Sequence, residues 1–197
     1  MRTLLALHPQ GVRRQTLALR AVLALVLLFA GGVAWADTLA GVVIVVIDGD
    51  TVLFKPDHYG AASRAFMKVR LTGIDAPEAN QPHGGAATRS LKDMTLKRRA
   101  SLEIVATDTY GRKLGRLSVG ALQVNAELVK RGHAWAYDSS RASARSGSES
   151  SRAVSRGNDA SLRGLQRESQ RARRGLWQDA NPTPPWVWRR AQPAPAY

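Results

Sequence analysis

A small β-barrel with helices packed at one side, an α+β fold, is predicted by three observations. Short stretches rich in Val and Ile alternate at period two and stop at Gly, Pro or Asp, as strands do. Three other segments carry helical spacing with start and stop signals. The two kinds do not alternate regularly: one helix falls between the third and fourth strands and two follow the last.

Each element has its own signal. Thr38 to Phe54 clusters Val and Ile around Asp48-Gly49-Asp50 and reads as a hairpin or two strands. Lys55 to Ala65 is polar with Pro and Gly, a loop. "FMKVRLT", Phe66 to Thr72, alternates and is a third strand. Gly73 to Gly85 is a Pro- and Gly-rich loop, and Ala86 to Lys97 places Ala87, Leu91 and Met94 at helical spacing. Leu102 to Ala106 and Lys113 to Val119 are strands separated by "TDTYGR". Asn125 to Arg131 is a helix with Asn125 as expected N-cap and Gly132 as stop. Asp138 to Gly157 is mostly Ser, Arg, Ala and Gly, a composition that buries little and predicts mobility. Asp159 to Arg174 is a third helix capped by Gly175, and "PTPPWVWRR" is expected to be extended.

The 197 residues carry a formal charge of +14 and no cysteine. Residues 1–36 are set apart as a secretory signal peptide: Arg13, Arg14 and Arg20 precede the apolar run "AVLALVLLFAGGV", and Ala34-Trp35-Ala36 offers small residues for cleavage. As a membrane anchor the run is short, since a span needs about 20 apolar residues. Arg13-Arg14 leaves twin-arginine export open. The leader holds four of the 29 basic residues and none of the 15 acids, so the remainder has net charge +10. An exported protein of that charge favours polyanions: nucleic acid, anionic lipid or cell-wall polymer. The absence of cysteine excludes thiol catalysis and thiolate metal sites. The predicted organisation is a leader, a domain over 37–180 containing the low-complexity stretch 138–157, and a Pro/Trp-rich tail over 181–197.

Candidate chemistry lies at the strand ends. Asp48 and Asp50 interrupt one strand pattern, and Asp75 and Glu78 in "GIDAPE" directly follow another. Each motif alone is ordinary turn chemistry. If the two strand ends are neighbours, the carboxylates converge, and converging carboxylates repel unless a cation lies between them. Oxygen ligands without His or Cys fit Ca²⁺ or Mg²⁺. Arg70, inside a strand pattern, and Arg112, in a tight turn, are each explicable as an exposed position or a structural ion pair. Near a hard metal they would suit a phosphodiester, because a guanidinium binds two phosphate oxygens at once. His58, His83 and His133 show no ligand spacing.

In order and spacing, "VIDGDTV", "VRLTGIDAPE", "QPHGGAA", "TDTYGRKLGRL", "VNAELVKRGHAWAY" and "RARRGLWQDANPTPPWVWR" resemble the staphylococcal-type thermonucleases, the SNase-like family, in its exported bacterial members. The resemblance implies an OB-fold, a five-stranded barrel with three helices, and Ca²⁺-dependent hydrolysis of DNA and RNA by a monomer. It implies that Asp50, Asp75 and the backbone carbonyl of Ala76 hold the metal. It implies that Glu78 positions or deprotonates the attacking water, that Arg70 and Arg112 bind phosphate, that Tyr110 and Tyr137 line the nucleotide pocket, and that Asp48 supports the metal ligands from behind. The sequence departs from the family pattern in a longer Lys55–Ala65 loop, in Thr109 where a pocket lysine is expected, and in one residue fewer before Tyr137. The rival expectation is an OB-fold module that binds nucleic acid without cutting it; a lipid- or wall-binding protein rests on charge alone.

Overall fold

A computed structural model describes residues 38–137 and 149–192, with residues 149–159 described by backbone alone. They belong to the compact unit Ala36–Tyr197. The expected leader lies outside the described residues, as does 138–148 of the Ser/Arg-rich stretch.

The strands are β1 (Thr38–Val46), β2 (Thr51–Pro56), β3 (Met67–Leu71), β4 (Ile74–Asp75), β5 (Arg99–Thr107), β6 (Lys113–Val119), β7 (Leu122–Gln123) and β8 (Trp135–Ala136). The helices are α1 (Gly84–Thr95), α2 (Val124–Lys130), α3 (Glu149–Arg171) and α4 (Pro185–Ala191). Antiparallel pairing runs β3-β2-β1-β5-β6, and a parallel β3–β6 pairing, Arg70 opposite Leu114, closes the five strands into a barrel. Breaks in register between Val43 and Val45 in β1, and between Ile104 and Ala106 in β5, lie where long strands must bend around the barrel. Inward positions are filled by Val43, Val52, Phe54, Val69, Leu71, Leu102 and Leu117. From α1, Ala87, Leu91 and Met94 join this core, and from α2, Leu128 and Val129.

Three expectations are corrected. Asn125 does not cap a helix: α2 starts at Val124 behind Gln123, and Asn125 is buried in its first turn. Its side-chain oxygen accepts from the Leu117 N–H at 3.0 Å and its amide donates to Thr72 O at 2.9 Å. Its amide thus ties the end of β3 to β6, where the parallel pairing leaves backbone groups open. We expect Asn125→Ala to cost about 2–3 kcal/mol in urea unfolding, because buried backbone groups lose their partner. A loss confined to a few tenths would show that water replaces the amide. Second, α3 starts at Glu149, inside the stretch expected to be mobile, and ends at Arg171; Gly175 opens a 3₁₀ turn to Gln178 instead of capping it. Third, the aromatic end is not extended: Pro185 opens α4, where its fixed φ and missing N–H cost nothing, so the described residues hold four helices, not three.

Candidate active site

The break between β1 and β2 explains Asp48-Gly49-Asp50. Gly49 does not have a positive φ, so the turn does not need glycine for its backbone angles. It needs glycine for space: a Cβ there would lie 2.7 Å from Cβ of Ala76 and 2.8 Å from Cβ of Ala87. The turn is pressed between the strand exit after β4 and the first turns of α1. Asp48 Oδ1 accepts the Asp50 N–H at 3.0 Å, a local bond that orients the second aspartate. Asp50 points inward, 3% exposed, and the Ala76 N–H donates to its Oδ2 at 3.1 Å.

Across the β2–β3 ladder, Thr51 lies opposite Arg70. Register therefore places Arg70 beside Asp50, and Nη1 donates to Asp50 Oδ1 at 2.9 Å. Gly73, with φ 76°, turns the chain sharply into β4, and Asp75 returns to the same guanidinium: Arg70 Nη2 donates to Asp75 Oδ1 at 2.6 Å. Pairing of Asp75 with Trp135 of β8 anchors this short strand. The two strand ends are neighbours, as the convergence of carboxylates requires.

The loop after β4 is closed on itself. Gln81, buried, accepts the Glu78 N–H and donates to Thr183 O in the C-terminal segment. His83 stands at φ 68° before α1, and a Cβ on Gly84 would lie 1.8 Å from the Glu78 carbonyl oxygen. Only glycine lets α1 begin this close to Glu78, which accounts for "QPHGG".

Burial pushes Asp50 up to about 7; Arg70 opposes this, while Asp48 and Asp75 add to it. Burial alone would lower the Arg70 pKa, but Asp50 and Asp75 more than compensate and raise it. The carboxylates thus converge around guanidinium groups, and among the described residues no three acidic or imidazole side chains form a ready-made metal cage.

Arg112 is not bonded to this cluster. Its Nε donates to Asp108 Oδ2 at 2.7 Å, inside the turn between β5 and β6. Asp108 Oδ1 also accepts the Tyr110 and Arg112 N–H groups. Burial would raise the Asp108 carboxyl, but the Arg112 side chain and these N–H groups hold it below its ordinary value. Arg112 nevertheless lies on the same barrel edge as Arg70, just before the Lys113 and Leu114 that pair with Val69 and Arg70. Tyr110 is exposed, with the Arg112 guanidinium 5.7 Å from its ring centre. Tyr137 follows β8, half exposed, 6.4 Å from the Trp186 ring.

One residue of the cluster was absent from the sequence reading. Arg189 of α4 donates through Nη2 to Asp75 Oδ2 at 2.8 Å and through Nη1 to Glu78 Oε1 at 2.6 Å. Its basic neighbours in "WVWRR" made it look like one more tail charge, and no local pattern links it to a site 114 residues away.

The family described as staphylococcal nuclease homologue matches residues 68–179. Protein ParB of Escherichia coli is 38% identical over 134 residues, covering 64% of this chain and 72% of that protein. The micrococcal nuclease of Shigella flexneri is 38% identical over 129 residues, covering 61% and 70%. An uncharacterized endonuclease of Escherichia coli O157:H7 is 34% identical over 112 residues, covering 56% and 69%. With its five-stranded barrel and a family match that runs from β3 through β6 and takes in helices α1 to α3, the chain belongs to the staphylococcal nuclease homologues and is a nuclease.

Proposed function

We propose that the protein is an exported, Ca²⁺-dependent nuclease that hydrolyses phosphodiester bonds of both DNA and RNA. The observation that carries this reading is the meeting of Asp50, Asp75 and Arg70 at one barrel edge, with Glu78 three residues on. The donor set fits a hard cation: carboxylate oxygens and a main-chain carbonyl, without sulfur or imidazole. Each aspartate carboxylate offers roughly four lone-pair positions. Among the described residues, three hydrogen bonds reach each of Asp50 and Asp75, which leaves room on both for one further ligand. Asp50, Asp75 and the Ala76 carbonyl would hold the ion, with Asp48 keeping Asp50 in place. A cation bound there supplies Lewis-acid polarisation of a phosphate oxygen. Glu78, partly exposed beside Asp75, orients or deprotonates the attacking water. Arg70 and Arg112 offset the charge that grows on the phosphate oxygens, and Tyr110 and Tyr137 offer ring faces to nucleotide bases.

The direct test is incubation of plasmid DNA and of RNA with Ca²⁺ or with excess chelator. Fragments from both substrates with Ca²⁺, and none with chelator, are expected. Undiminished cleavage in chelator would remove the metal from the reading; binding without cleavage would favour the OB-fold binding module. Export is tested by the mature N-terminus: cleavage after Ala36 leaves a chain beginning at Asp37. Among the described residues, no helix is long and apolar enough to cross a membrane.

Asp50 also sets a pH dependence. A carboxyl titrating near 7 must lose its proton to become a ligand. Calcium affinity should therefore rise with pH, about tenfold per unit below neutrality, and level off above it. Calorimetry at several pH values, in buffers of different ionisation enthalpy, reads both affinity and proton release. A flat profile without proton release would show Asp50 already ionised.

A further inference from the structure

The C-terminal segment reaches the cluster as a strap. His83 Nε2 pairs with Asp179 at 2.8 Å, Gln81 donates to Thr183 O, and Trp188 Nε1 donates to Asn80 Oδ1 at 3.1 Å. Trp186 stacks edgewise on Trp135, whose backbone pairs with Asp75. These contacts clamp the segment to both sides of the loop that carries Asp75 and Glu78, and the strap ends by delivering Arg189 to both carboxylates.

The charge count decides what Arg189 can be. Asp48, Asp50, Asp75 and Glu78, all ionised, carry −4, and Arg70 and Arg189 return +2. The remainder, −2, matches one divalent cation with both guanidinium groups still in place. Asp75 accepts from both arginines yet keeps a free lone-pair position. Glu78 uses Oε1 for Arg189, and among the described residues nothing donates to its Oε2. Arg189 need not leave for the site to fill, and its fork fixes Glu78 relative to Asp75 without covering the oxygen that would face water.

We propose that Arg189 is a positioning residue of the active site: by bridging Asp75 and Glu78, it holds the water-handling carboxylate at a fixed place beside the metal ligand, which makes the C-terminal strap part of the catalytic unit. This rests on the reading of Glu78 given above. An unbridged Glu78, its side chain 35% exposed and followed by the exposed Ala79 and Asn80, would sample several rotamers, and a misplacement of about 1 Å is enough to cost roughly 10²-fold in rate.

The test uses the full chain with Arg189→Gln, Arg189→Lys, Glu78→Gln and the double variant Glu78→Gln/Arg189→Gln. Cleavage of single-stranded DNA is measured at saturating Ca²⁺, and Ca²⁺ binding alone by calorimetry. The proposal expects Arg189→Gln to lower kcat by about 10²-fold with KM little changed. Ca²⁺ should still bind at one site. In the Glu78→Gln background the same change should have almost no further effect, since Arg189 acts through Glu78. Arg189→Lys, which keeps the charge but cannot fork, should recover only part of the rate. A normal kcat in Arg189→Gln, with or without tighter Ca²⁺ binding, overturns the proposal, as does full additivity in the double variant. A fully active Glu78→Gln protein overturns the reading of Glu78 and the proposal together; an inactive Glu78→Gln beside a normal Arg189→Gln overturns the proposal alone. If Arg189→Gln fails to fold, Arg189→Lys in both backgrounds reads the same coupling.

Discussion

Asp75→Asn should remove nearly all cleavage while the protein still folds. The substitution keeps shape and deletes one charge. Asp75 is 1% exposed, and its two oxygens accept from Arg70 and Arg189. If it also binds the cation, its loss takes away several kcal/mol of transition-state stabilisation, a fall of roughly 10³-fold or more in rate. Breaking a buried ion pair costs about 3–5 kcal/mol when the survivor is sealed from water. Here the survivors are not sealed: the Arg70 and Arg189 side chains keep 24% and 43% of their surface exposed. Water can take up the freed N–H groups, so a stability loss nearer 1–2 kcal/mol is expected. Turnover and urea unfolding on one preparation separate the two effects. Unfolding at room temperature would make Asp75 a structural anchor first; a rate within tenfold of the parent would place the metal elsewhere.

Asp50→Asn should look different in stability. The Asp50 carboxyl titrates above its ordinary 3.8, at about 7. Its contribution to stability is then complete below about pH 4 and lost as pH rises through about 7, because ionising it in the folded state is costly. Metal-free Asp50→Asn should therefore match the parent in acid and exceed it above neutrality. Activity should still be lost, since an amide is a poor substitute for a hard anionic ligand.

The barrel was legible because its strands are short, alternate cleanly and stop at Gly or Asp; register then brings Asp50 to Arg70 without any further signal. The pairing of "DGD" with "GIDAPE" could be anticipated because each places unusual acids at a strand end. What could not be anticipated depends on contacts far apart in sequence. Asn125 looked like a cap since Asn favours that position, and nothing local reveals that its amide would instead serve Thr72 and Leu117. Proline pairs read as extended chain, yet Pro184-Pro185 is also how a helix can start, and the docking of Trp186 and Trp188 selects that outcome. Arg189 was hidden for the same reason: a basic residue in a basic tail has no distinguishing pattern until the strap places it on Asp75.

Arg112→Lys should lower the rate by two to three orders of magnitude, roughly, while shifting stability by at most about 1 kcal/mol. The structure makes this a sharp choice, because Arg112 is engaged in the kind of ion pair that could be its whole purpose. The pair uses Nε alone: Nε donates to Asp108 Oδ2, and no hydrogen-bond partner for Nη1 or Nη2 occurs among the described residues. An arginine kept only for Asp108 would gain from a two-pronged bond, yet Oδ1 of that carboxylate is already committed to the Tyr110 and Arg112 backbone N–H groups. Asp108 therefore holds the guanidinium through Nε, on the barrel edge whose next residues pair with Val69 and Arg70. A fork held that way suits two phosphate oxygens, and a lysine ammonium cannot reproduce it. Asp108→Asn should show a smaller rate loss than Arg112→Lys, because the guanidinium stays while its orientation loosens. Arg70→Lys should differ from both, losing rate and stability together, since Arg70 links the buried Asp50 and Asp75 through its two Nη atoms. Rates from single-turnover cleavage and melting temperatures on the same three proteins distinguish the roles. A normal rate with a lowered melting point in Arg112→Lys would mean that Arg112 serves its turn and nothing else.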